Sequence, residues 1–195
     1  GFPMSSDPWL QRWLPLVTDR AHCGPVLELG CGAGEDSAIL VGAGVNLVAL
    51  DLSEESVTMA RGRVPNASFF VQDLRDPFPL ENEKASVVVA SLSLHYFSWA
   101  ETLRLVTRIR DTLNDSGILL CRLNSTNDHH FGASGHPLID KNYYSVHGEP
   151  KRFFDRSSIE HLFQSGWNML SLEEMITHKY AMPKSIWEAI LVKDV

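Results

Sequence analysis

The chain has 195 residues and a net charge of −7, and 44% of its residues are hydrophobic while 21% are charged. This length suits one compact domain over residues 1–195, and the composition is that of an ordinary globular protein rather than a disordered tail. No stretch approaches the roughly 18 apolar residues that a transmembrane helix needs, and no secretory signal segment opens the sequence. These properties predict a protein without a membrane span.

The net charge and the cysteines indicate which classes of partner the protein is expected to have. The acidic balance argues against nucleic acid, because a domain that neutralises phosphates normally shows a basic cluster and this sequence has none. Cys23, Cys31 and Cys121 are an odd set without metal-type spacing, which predicts reduced thiols in a cytoplasmic protein. We therefore expect a small-molecule substrate and no metal, and the sequence leaves the oligomeric state open.

Before the first strand, residues 7–18 have the pattern of a short amphipathic helix, with Trp9 and Trp13 on one side. This pattern predicts a helical cover segment within residues 1–22. Arg12 could reach a cofactor carboxylate from this segment, although simple core packing of the tryptophans is the alternative.

Short apolar runs then alternate with helical patterns. The apolar runs predict strands at 25–29, 46–50, 68–71, 87–91 and 117–123. The segments between them predict helices near 35–42, 54–63 and 99–112. Because the strand segments are continuously apolar rather than alternating, both of their faces should be buried, which is typical of a parallel sheet between two layers of helices.

After residue 124 the alternation stops. Residues 125–150 are rich in Asn, Asp, His, Gly and Tyr and show no clear period, which predicts a loop or lid on the substrate side of the protein. A helix follows, with Asp155 as its cap, Phe154 and Ile159 as a hydrophobic staple and Gly166 at its end. Two last strands are expected at 167–175 and 186–192.

Three glycines, Gly30, Gly32 and Gly34, directly follow the first predicted strand. Glycines at such a place let the backbone turn tightly and approach a ligand closely. Dinucleotides and S-adenosylmethionine both bind at turns of this kind. A tight strand-to-helix turn with no ligand is the structural alternative.

The charge around the glycines separates the two ligand classes. The dinucleotide fingerprint would need glycine or alanine at position 35, where this chain has Glu35. A pyrophosphate would also meet Asp36 in the first turn of the helix and Glu28 just before the glycines. Three carboxylates instead favour a ligand that carries an ammonium and a sulfonium, as S-adenosylmethionine does.

Two further acidic residues stand at strand ends. Asp51 follows the second strand, where its carboxylate could accept both ribose hydroxyls, since Ser53 is better placed to cap the next helix. Asp73 follows the third strand, where it could accept the adenine amino group while the backbone of Leu74 meets a ring nitrogen. The alternatives are a helix cap for Asp51 and an ordinary turn residue for Asp73.

From about residue 24 to its C-terminus, the chain resembles the bacterial class I methyltransferases. Residues 28–34 (Glu-Leu-Gly-Cys-Gly-Ala-Gly) resemble the first motif of that family, residues 51–53 its second, residues 72–74 its third and residues 90–96 (Ala-Ser-Leu-Ser-Leu-His-Tyr) its fourth. The core is also similar to the small tellurite-resistance and quinone-pathway methyltransferases, but no motif assigns it to either.

The resemblance implies an α/β fold, a Rossmann-like three-layer sandwich whose seven-stranded sheet has the order 3-2-1-4-5-7-6 with strand 7 antiparallel. It implies S-adenosylmethionine as cofactor, with these expected contacts: Glu28, Gly30, Cys31, Gly32, Gly34, Asp51, Leu52, Asp73, Leu74 and Ser91. One departure is that Ala85-Ser86 stands where the family usually has an acidic residue before the fourth strand.

The residues expected to lie near the methyl acceptor stand in segments with few sequence motifs. His95 and Tyr96 follow the fourth strand and are weak catalytic candidates, as a base or as substrate-orienting groups, and a packing role is an equal alternative. The sequence therefore assigns no catalytic residue. The pair His129-His130 is expected to lie on a loop surface rather than to bind metal.

A second group flanks the predicted lid. The cations Lys151 and Arg152 could bind an anionic substrate beside Tyr143 and Tyr144, or could form a solvated charge pair before the helix.

Three functions remain open: methyl transfer to a small molecule, a nucleotide-dependent oxidoreductase, and a non-catalytic S-adenosylmethionine-binding module. Glu35 and the acidic first turn count against the oxidoreductase, and nothing in the sequence indicates a broken cofactor pocket. The sequence does not name the acceptor atom, which could be oxygen, nitrogen, sulfur or carbon.

Overall fold

The fold is built on two sheets, seen in a computed structural model that describes residues 8–194. The strands of the described chain are β1 (Val26–Leu29), β2 (Leu47–Asp51), β3 (Ser68–Val71), β4 (Ala85–Ser91), β5 (Leu113–Asn124), β6 (Leu138–Asp140), β7 (Tyr143–Val146), β8 (Glu149–Arg152), β9 (Trp167–Thr177) and β10 (Lys184–Lys193). The central sheet has the order β3-β2-β1-β4-β5-β10-β9, and β6, β7 and β8 form a separate small sheet.

The order of the central sheet confirms the expected topology. Without the three strands of the small sheet, it reads 3-2-1-4-5-7-6 in chain order. Strands β1 to β5 pair in parallel, and β10 pairs antiparallel with both β5 and β9. The carboxyl ends of the parallel strands therefore meet along one edge of the sheet, where open α/β sheets bind ligands.

The helices agree closely with the sequence pattern. They are α1 (Leu14–Arg20), α2 (Glu35–Gly42), α3 (Glu54–Arg63), α4 (Trp99–Thr112) and α5 (Arg156–Leu162), with short 3₁₀ turns at Gln11–Trp13, Ala21–Cys23 and His129–Phe131. The side chain of Ser53 caps α3 as expected, and Asp155 caps α5 in a reciprocal capping box with Ser158. The helical part of the predicted cover segment is present from Gln11, while residues 1–7 lie outside the described part of the chain.

The sheet separates two apolar layers. Along β4, Val87 and Val89 face the layer that contains α1, α2 and α3, whereas Val88 faces the layer that contains α4 and α5. Both faces of the strand are fully buried, as its continuous apolar run predicts. Trp9 belongs to the first layer and Phe154 to the second, so both are packing residues.

The segment 125–150 is not the unstructured loop that its composition predicts. It contains β6, β7 and the start of β8, which pair only with one another. These strands carry no buried apolar alternation, because β6 is wholly exposed and β8 is half-exposed. The local signal for the hairpin was the turn His147-Gly148, where both residues have positive φ.

Two further features complete the scaffold. Ser86, which stands beside the position of the missing acidic residue, donates its buried hydroxyl to the carbonyl of Gly24 at 2.7 Å and so ties the start of β4 to the start of β1. Within residues 8–194, no helix is long and apolar enough to cross a membrane.

Candidate functional site

Two adjoining cavities lie at the carboxyl ends of the parallel strands. The first cavity, of about 650 Å³, is bordered by the residues that follow β2 and β3, including Asp51, Leu52, Asp73 and Leu74. The second cavity, of about 460 Å³, is bordered by the glycine loop, the segment after β4 and several lysines. Both cavities share three lining residues, Gly30, Leu92 and Tyr96.

The three glycines after β1 serve different purposes. All have positive φ, at +77° for Gly30, +53° for Gly32 and +92° for Gly34. A Cβ on Gly30 would lie 2.6 Å from the Cβ of Ser93, and a Cβ on Gly34 would lie 3.2 Å from Ala60 in α3. A Cβ on Gly32 would meet no described atom within 4 Å, so this is the glycine that leaves its backbone open to a ligand.

Asp51 is less free than the sequence suggested. Its Oδ2 accepts a hydrogen bond from the N–H of Gly32 at 2.9 Å, and its Oδ1 accepts one from the N–H of Ser53 at 2.9 Å. The carboxylate therefore fixes the glycine loop to the end of β2. A carboxylate has about four lone-pair sites, so these two bonds still leave acceptor capacity on the side that borders the first cavity.

Asp73 also has a local partner. Arg75 forms a two-pronged ion pair with it, at 3.0 Å from Nε to Oδ1 and 2.8 Å from Nη2 to Oδ2, and its backbone N–H donates to Oδ1 as well. These hydrogen bonds lower the pKa of the Asp73 carboxyl, so it is ionised. The turn interpretation and the ligand interpretation are thus compatible, since Asp73 organises its turn and borders the first cavity.

Glu28 lies beneath the glycine loop and is buried. It accepts a hydrogen bond from the hydroxyl of Ser37 at 2.5 Å. Burial, together with the nearby charges of Asp36 and Asp51, raises the pKa of Glu28 to about 8, against the opposing effect of the Ser37 hydrogen bond. Because this value lies above neutrality, Glu28 is largely protonated at pH 7 and would become ionised beside a cation.

The other two acidic residues near the glycines have partners that sequence reasoning did not foresee. Glu35 forms an ion pair with Lys179, at 2.6 Å between Oε2 and Nζ. Asp36 accepts a hydrogen bond from the indole N–H of Trp9 at 3.1 Å. Lys179 lies between β9 and β10, so this ion pair connects that segment to the start of the helix after the glycine loop. It also adds a cation to a cluster that the sequence predicted to be purely acidic.

The segment after β4 borders both cavities. His95 is buried, with 3% of its surface exposed, while Tyr96 is 44% exposed at the place where the cavities join. Burial lowers the pKa of His95 well below its usual value, and the charges of Lys151 and Lys184 lower it further, so the imidazole is neutral at pH 7. Ser91 accepts a hydrogen bond from Nε of Arg122 at 2.8 Å.

The second cavity also has a set of polar and basic lining residues that sequence reasoning missed. They are Arg122, Asn124, Lys179, Tyr180 and Lys184. Among the described residues, Nδ1 of His95 and Oδ1 of Asn124 are buried without a hydrogen-bond partner. Buried polar atoms rarely stay unpaired, so a cavity bordered by two such residues is suited to a polar molecule.

Two cations named from the sequence do not reach the cavities. Arg12 pairs with Glu173, at 3.0 Å, and approaches Glu188, so it is not placed to hold a cofactor carboxylate. Arg152 is buried and donates to the carbonyl of Phe97 at 3.1 Å, which makes it a structural residue under the small sheet.

The histidine pair His129-His130 lies in the 3₁₀ turn, with Nδ1 of His129 3.2 Å from the hydroxyl of Ser134. Residues 8–194 contain no cluster of three or more His, Cys, Asp or Glu side chains that could hold a metal ion.

Residues 26–117 match the family model described as "Methyltransferase domain". Two relatives are similar in sequence. One is YqeM of Bacillus subtilis (strain 168), named as a methyltransferase, at 31% identity over 60% of this chain and 47% of the relative. Another is the trans-aconitate 2-methyltransferase of Delftia acidovorans, at 30% identity over 53% of this chain and 39% of the relative. The chain thus spans about half the length, or less, of these relatives.

Solved structures agree on the fold. A S-adenosylmethionine-dependent methyltransferase from Clostridium acetobutylicum superimposes with a TM-score of 0.72 and 14% identity, over 98% of this chain and 94% of that one. The magnesium protoporphyrin IX methyltransferase of Synechocystis, solved with bound S-adenosylmethionine, superimposes with a TM-score of 0.68 and 14% identity, over 95% of this chain and 78% of that one. Residues 26–117 thus match a methyltransferase domain, and the described chain shares its fold with S-adenosylmethionine-dependent methyltransferases.

Proposed function

We propose that this protein transfers a methyl group from S-adenosylmethionine to a small-molecule acceptor. The observation that carries the proposal is the convergence of the glycine loop, Asp51 and Asp73 on two adjoining cavities at one sheet edge. The name of the Delftia relative gives trans-aconitate, a small organic acid, as that protein's acceptor, and this supports a small acceptor here.

The first cavity fits the adenosine part of the cofactor. The remaining lone pairs of Asp51 can accept the ribose hydroxyls beside Leu52, and Asp73 can accept the adenine amino group if it gives up part of its contact with Arg75. The exposed ion pair with Arg75 is inexpensive to rearrange, because exposed pairs contribute little. Leu74 offers backbone at the same place.

The second cavity, next to the glycine loop, fits the amino-acid part of the cofactor. Gly32 leaves the backbone open, with Cys31 beside it. The ion pair of Glu35 and Lys179 offers a carboxylate and an ammonium side by side, which complements the ammonium and carboxylate of an amino acid. Glu28 adds a buried carboxyl that ionises when a cation lies next to it.

When bound, S-adenosylmethionine supplies an electrophilic methyl group whose departure leaves a neutral thioether. The chain's own residues then have to hold the acceptor in line with that methyl group and exclude water. Tyr96 and Ser91 lie at or near the junction of the cavities, and we assign them to positioning. We propose that the described part of the N-terminal segment, residues 8–22, and residues 125–150 cover the site, the latter through β6 to β8.

The cysteines bear on the cellular location of the protein. Cys23, Cys31 and Cys121 form no disulfide in the structure, and burial raises the pKa of the thiols of Cys31 and Cys121. Cysteines that form no disulfide favour a reducing compartment, so we propose a cytoplasmic location. The net charge of −7 supports the further proposal that nucleic acid is not a partner.

The test is incubation of the protein with methyl-labelled S-adenosylmethionine and a panel of hydroxyl, amine, thiol and carboxylate acceptors. We expect label on an acceptor of one class, with one S-adenosylhomocysteine formed for each methyl group transferred. Binding of S-adenosylhomocysteine without turnover on any acceptor would favour a non-catalytic module. Binding of a nicotinamide dinucleotide in its place would contradict the proposal in favour of an oxidoreductase.

A further inference from the structure

We propose that the acceptor is a small molecule with a carboxylate group and that Lys151 binds this carboxylate in the second cavity. This inference rests on the proposed function, because it concerns the acceptor of the same site. Three observations carry it: the separation of charges in the cavity, the pairing of its lysines and the burial of Lys151.

Apart from the ion pair of Glu35 with Lys179, the acidic and basic residues of the second cavity form two separate groups. The acidic residues interact among themselves, since Glu28 experiences the charges of Asp36 and Asp51. The basic residues form another group, since Lys151 and Lys184 both act on His95 and also on each other. A cofactor with a sulfonium and an ammonium suits the acidic group, and the basic group is left to face another, anionic molecule.

Within the basic group, Lys151 forms no ion pair with a described carboxylate, and only the more distant charges of Asp128 and Glu149 act on it. Lys184 forms a buried ion pair with Asp128, at 2.6 Å, and Lys179 is paired with Glu35. Nζ of Lys151 donates to the carbonyl of Phe131 at 3.0 Å, and no carboxylate of the described residues lies within ion-pair distance of it. A carbonyl compensates an ammonium only in part, since the ammonium has three protons to donate.

The partial burial of Lys151 makes the absence of a neighbouring counter-ion energetically unfavourable. The residue is half-buried, and burial together with the charge of Lys184 lowers its pKa. A charge in such a place is stabilised when a hydrogen-bonded counter-ion arrives, and the same ion would offset the repulsion between the two lysines. An amine acceptor that arrives as a cation would instead be repelled.

The number of available charges favours a carboxylate over a phosphate. A phosphate group carries about two negative charges at neutral pH and usually needs several donors or a helix N-terminus. The helix that begins at the glycine loop starts with two acidic residues, Glu35 and Asp36, so it offers no such site. One uncompensated lysine matches the single charge of one carboxylate.

The experiment first saturates the protein with S-adenosylhomocysteine and then titrates carboxylates and their uncharged amides, namely succinate against succinamide and benzoate against benzamide, by calorimetry. We expect at least one carboxylate to bind about tenfold or more tightly than its amide, as a charge-assisted hydrogen bond predicts. Lys151→Gln should abolish this preference, and Lys151→Arg should retain much of it. Lys141→Gln is the matched control, because Lys141 is an exposed lysine of the same small-sheet segment that does not border the second cavity.

The outcomes separate the two proposals. If the wild-type protein does not bind S-adenosylhomocysteine, the proposed function itself fails. If it binds the cofactor product but no carboxylate, or binds amides equally well, only the carboxylate acceptor is overturned. If Lys151→Gln weakens S-adenosylhomocysteine but not 5′-methylthioadenosine, which lacks the amino-acid part, then Lys151 serves the cofactor and the inference is overturned as well.

Discussion

The first cavity and the basic part of the second cavity are built in different ways. The first is lined mainly by residues at or just after the ends of β2, β3 and β4, so most contributors stand next to a strand that the sequence predicts. The basic part is assembled from β5, β8, the segment between β9 and β10, and the first residue of β10. The proposed cofactor site at the parallel strand ends can therefore be predicted from order and spacing, whereas the proposed acceptor site depends on tertiary contacts.

The largest effect is expected from Gly30→Ala, which tests the backbone approach on which the cofactor side depends. A Cβ there would lie 2.6 Å from Ser93, and φ is +77°. Crowding of about 1–3 kcal/mol adds to about 1–2 kcal/mol for a left-handed alanine, so urea denaturation should show about 2–5 kcal/mol of lost stability. Gly44→Ala is the control, since its φ is +88° with nothing within 4 Å, and it should lose only the backbone part. Equal losses in both variants would show that the contact with Ser93 is unimportant.

Lys179→Gln tests whether Lys179, rather than Lys151, binds the cofactor in the second cavity. If Lys179 holds the carboxylate of the cofactor, the variant should bind S-adenosylhomocysteine about 5- to 20-fold more weakly, as expected for one charge-assisted hydrogen bond. Binding of 5′-methylthioadenosine should not change. Competition binding of the two ligands to the wild type, Lys179→Gln and Lys151→Gln measures both effects. A loss that is the same for both ligands would mean that Lys179 acts only through the fold of the glycine loop.

The protonation state of Glu28 should make the affinity for S-adenosylhomocysteine depend on pH. Its pKa of about 8 means that it is largely protonated at pH 7, and an adjacent ammonium would lower that pKa. Binding of S-adenosylhomocysteine should therefore release a proton, and its affinity should rise with pH up to about pH 8. Calorimetry in buffers of different ionisation enthalpy detects this proton, and Glu28→Gln should abolish it while keeping an acceptor for Ser37. Identical proton release in wild type and variant would exclude Glu28 as its source.

The smallest effect is expected at His95, on the acceptor side. Burial, Lys151 and Lys184 all lower its pKa, so its ring signals in a nuclear magnetic resonance titration should stay those of the neutral imidazole through the neutral range. Lys151→Gln removes one of the repelling charges and should raise the pKa, as should a bound carboxylate. A wild-type His95 that titrates at the usual histidine value would contradict this account of the basic group.

The fold was predictable because its signals are local. The apolar runs, the cap at Ser53 and the capping box at Asp155 each lie within a few residues, and they predicted most of the central strands and helices to within two residues. The exceptions are β5, which begins four residues earlier than predicted, and α1, which begins seven residues later. The small sheet was not predicted, because its short strands pair with one another and expose most of their side chains. Without a buried face, a strand leaves no alternation in the sequence.

For the site residues too, positions at strand ends could be predicted, whereas their bonding partners could not. Asp51 and Asp73 could be placed at strand ends, yet their bonds to Gly32, Ser53 and Arg75 could not be foreseen from spacing. The ion pair of Glu35 with Lys179 joins residues from opposite ends of the chain, so only the fold reveals it. Arg12 was wrongly suggested for the cofactor carboxylate, because its acidic partners come from β9 and β10.

The central claim is that Asp51 couples the glycine loop to the bound cofactor, and calorimetry with S-adenosylhomocysteine on the wild type, Asp51→Asn and Asp51→Ala tests it most directly. We expect micromolar binding by the wild type and a loss of about 1–3 kcal/mol in Asp51→Ala, because the N–H of Gly32 and the ribose hydroxyls lose their shared acceptor. Asp51→Asn should fall between the two, since its amide keeps one acceptor oxygen. No binding by the wild-type protein, or equal affinity for all three proteins, would contradict the claim.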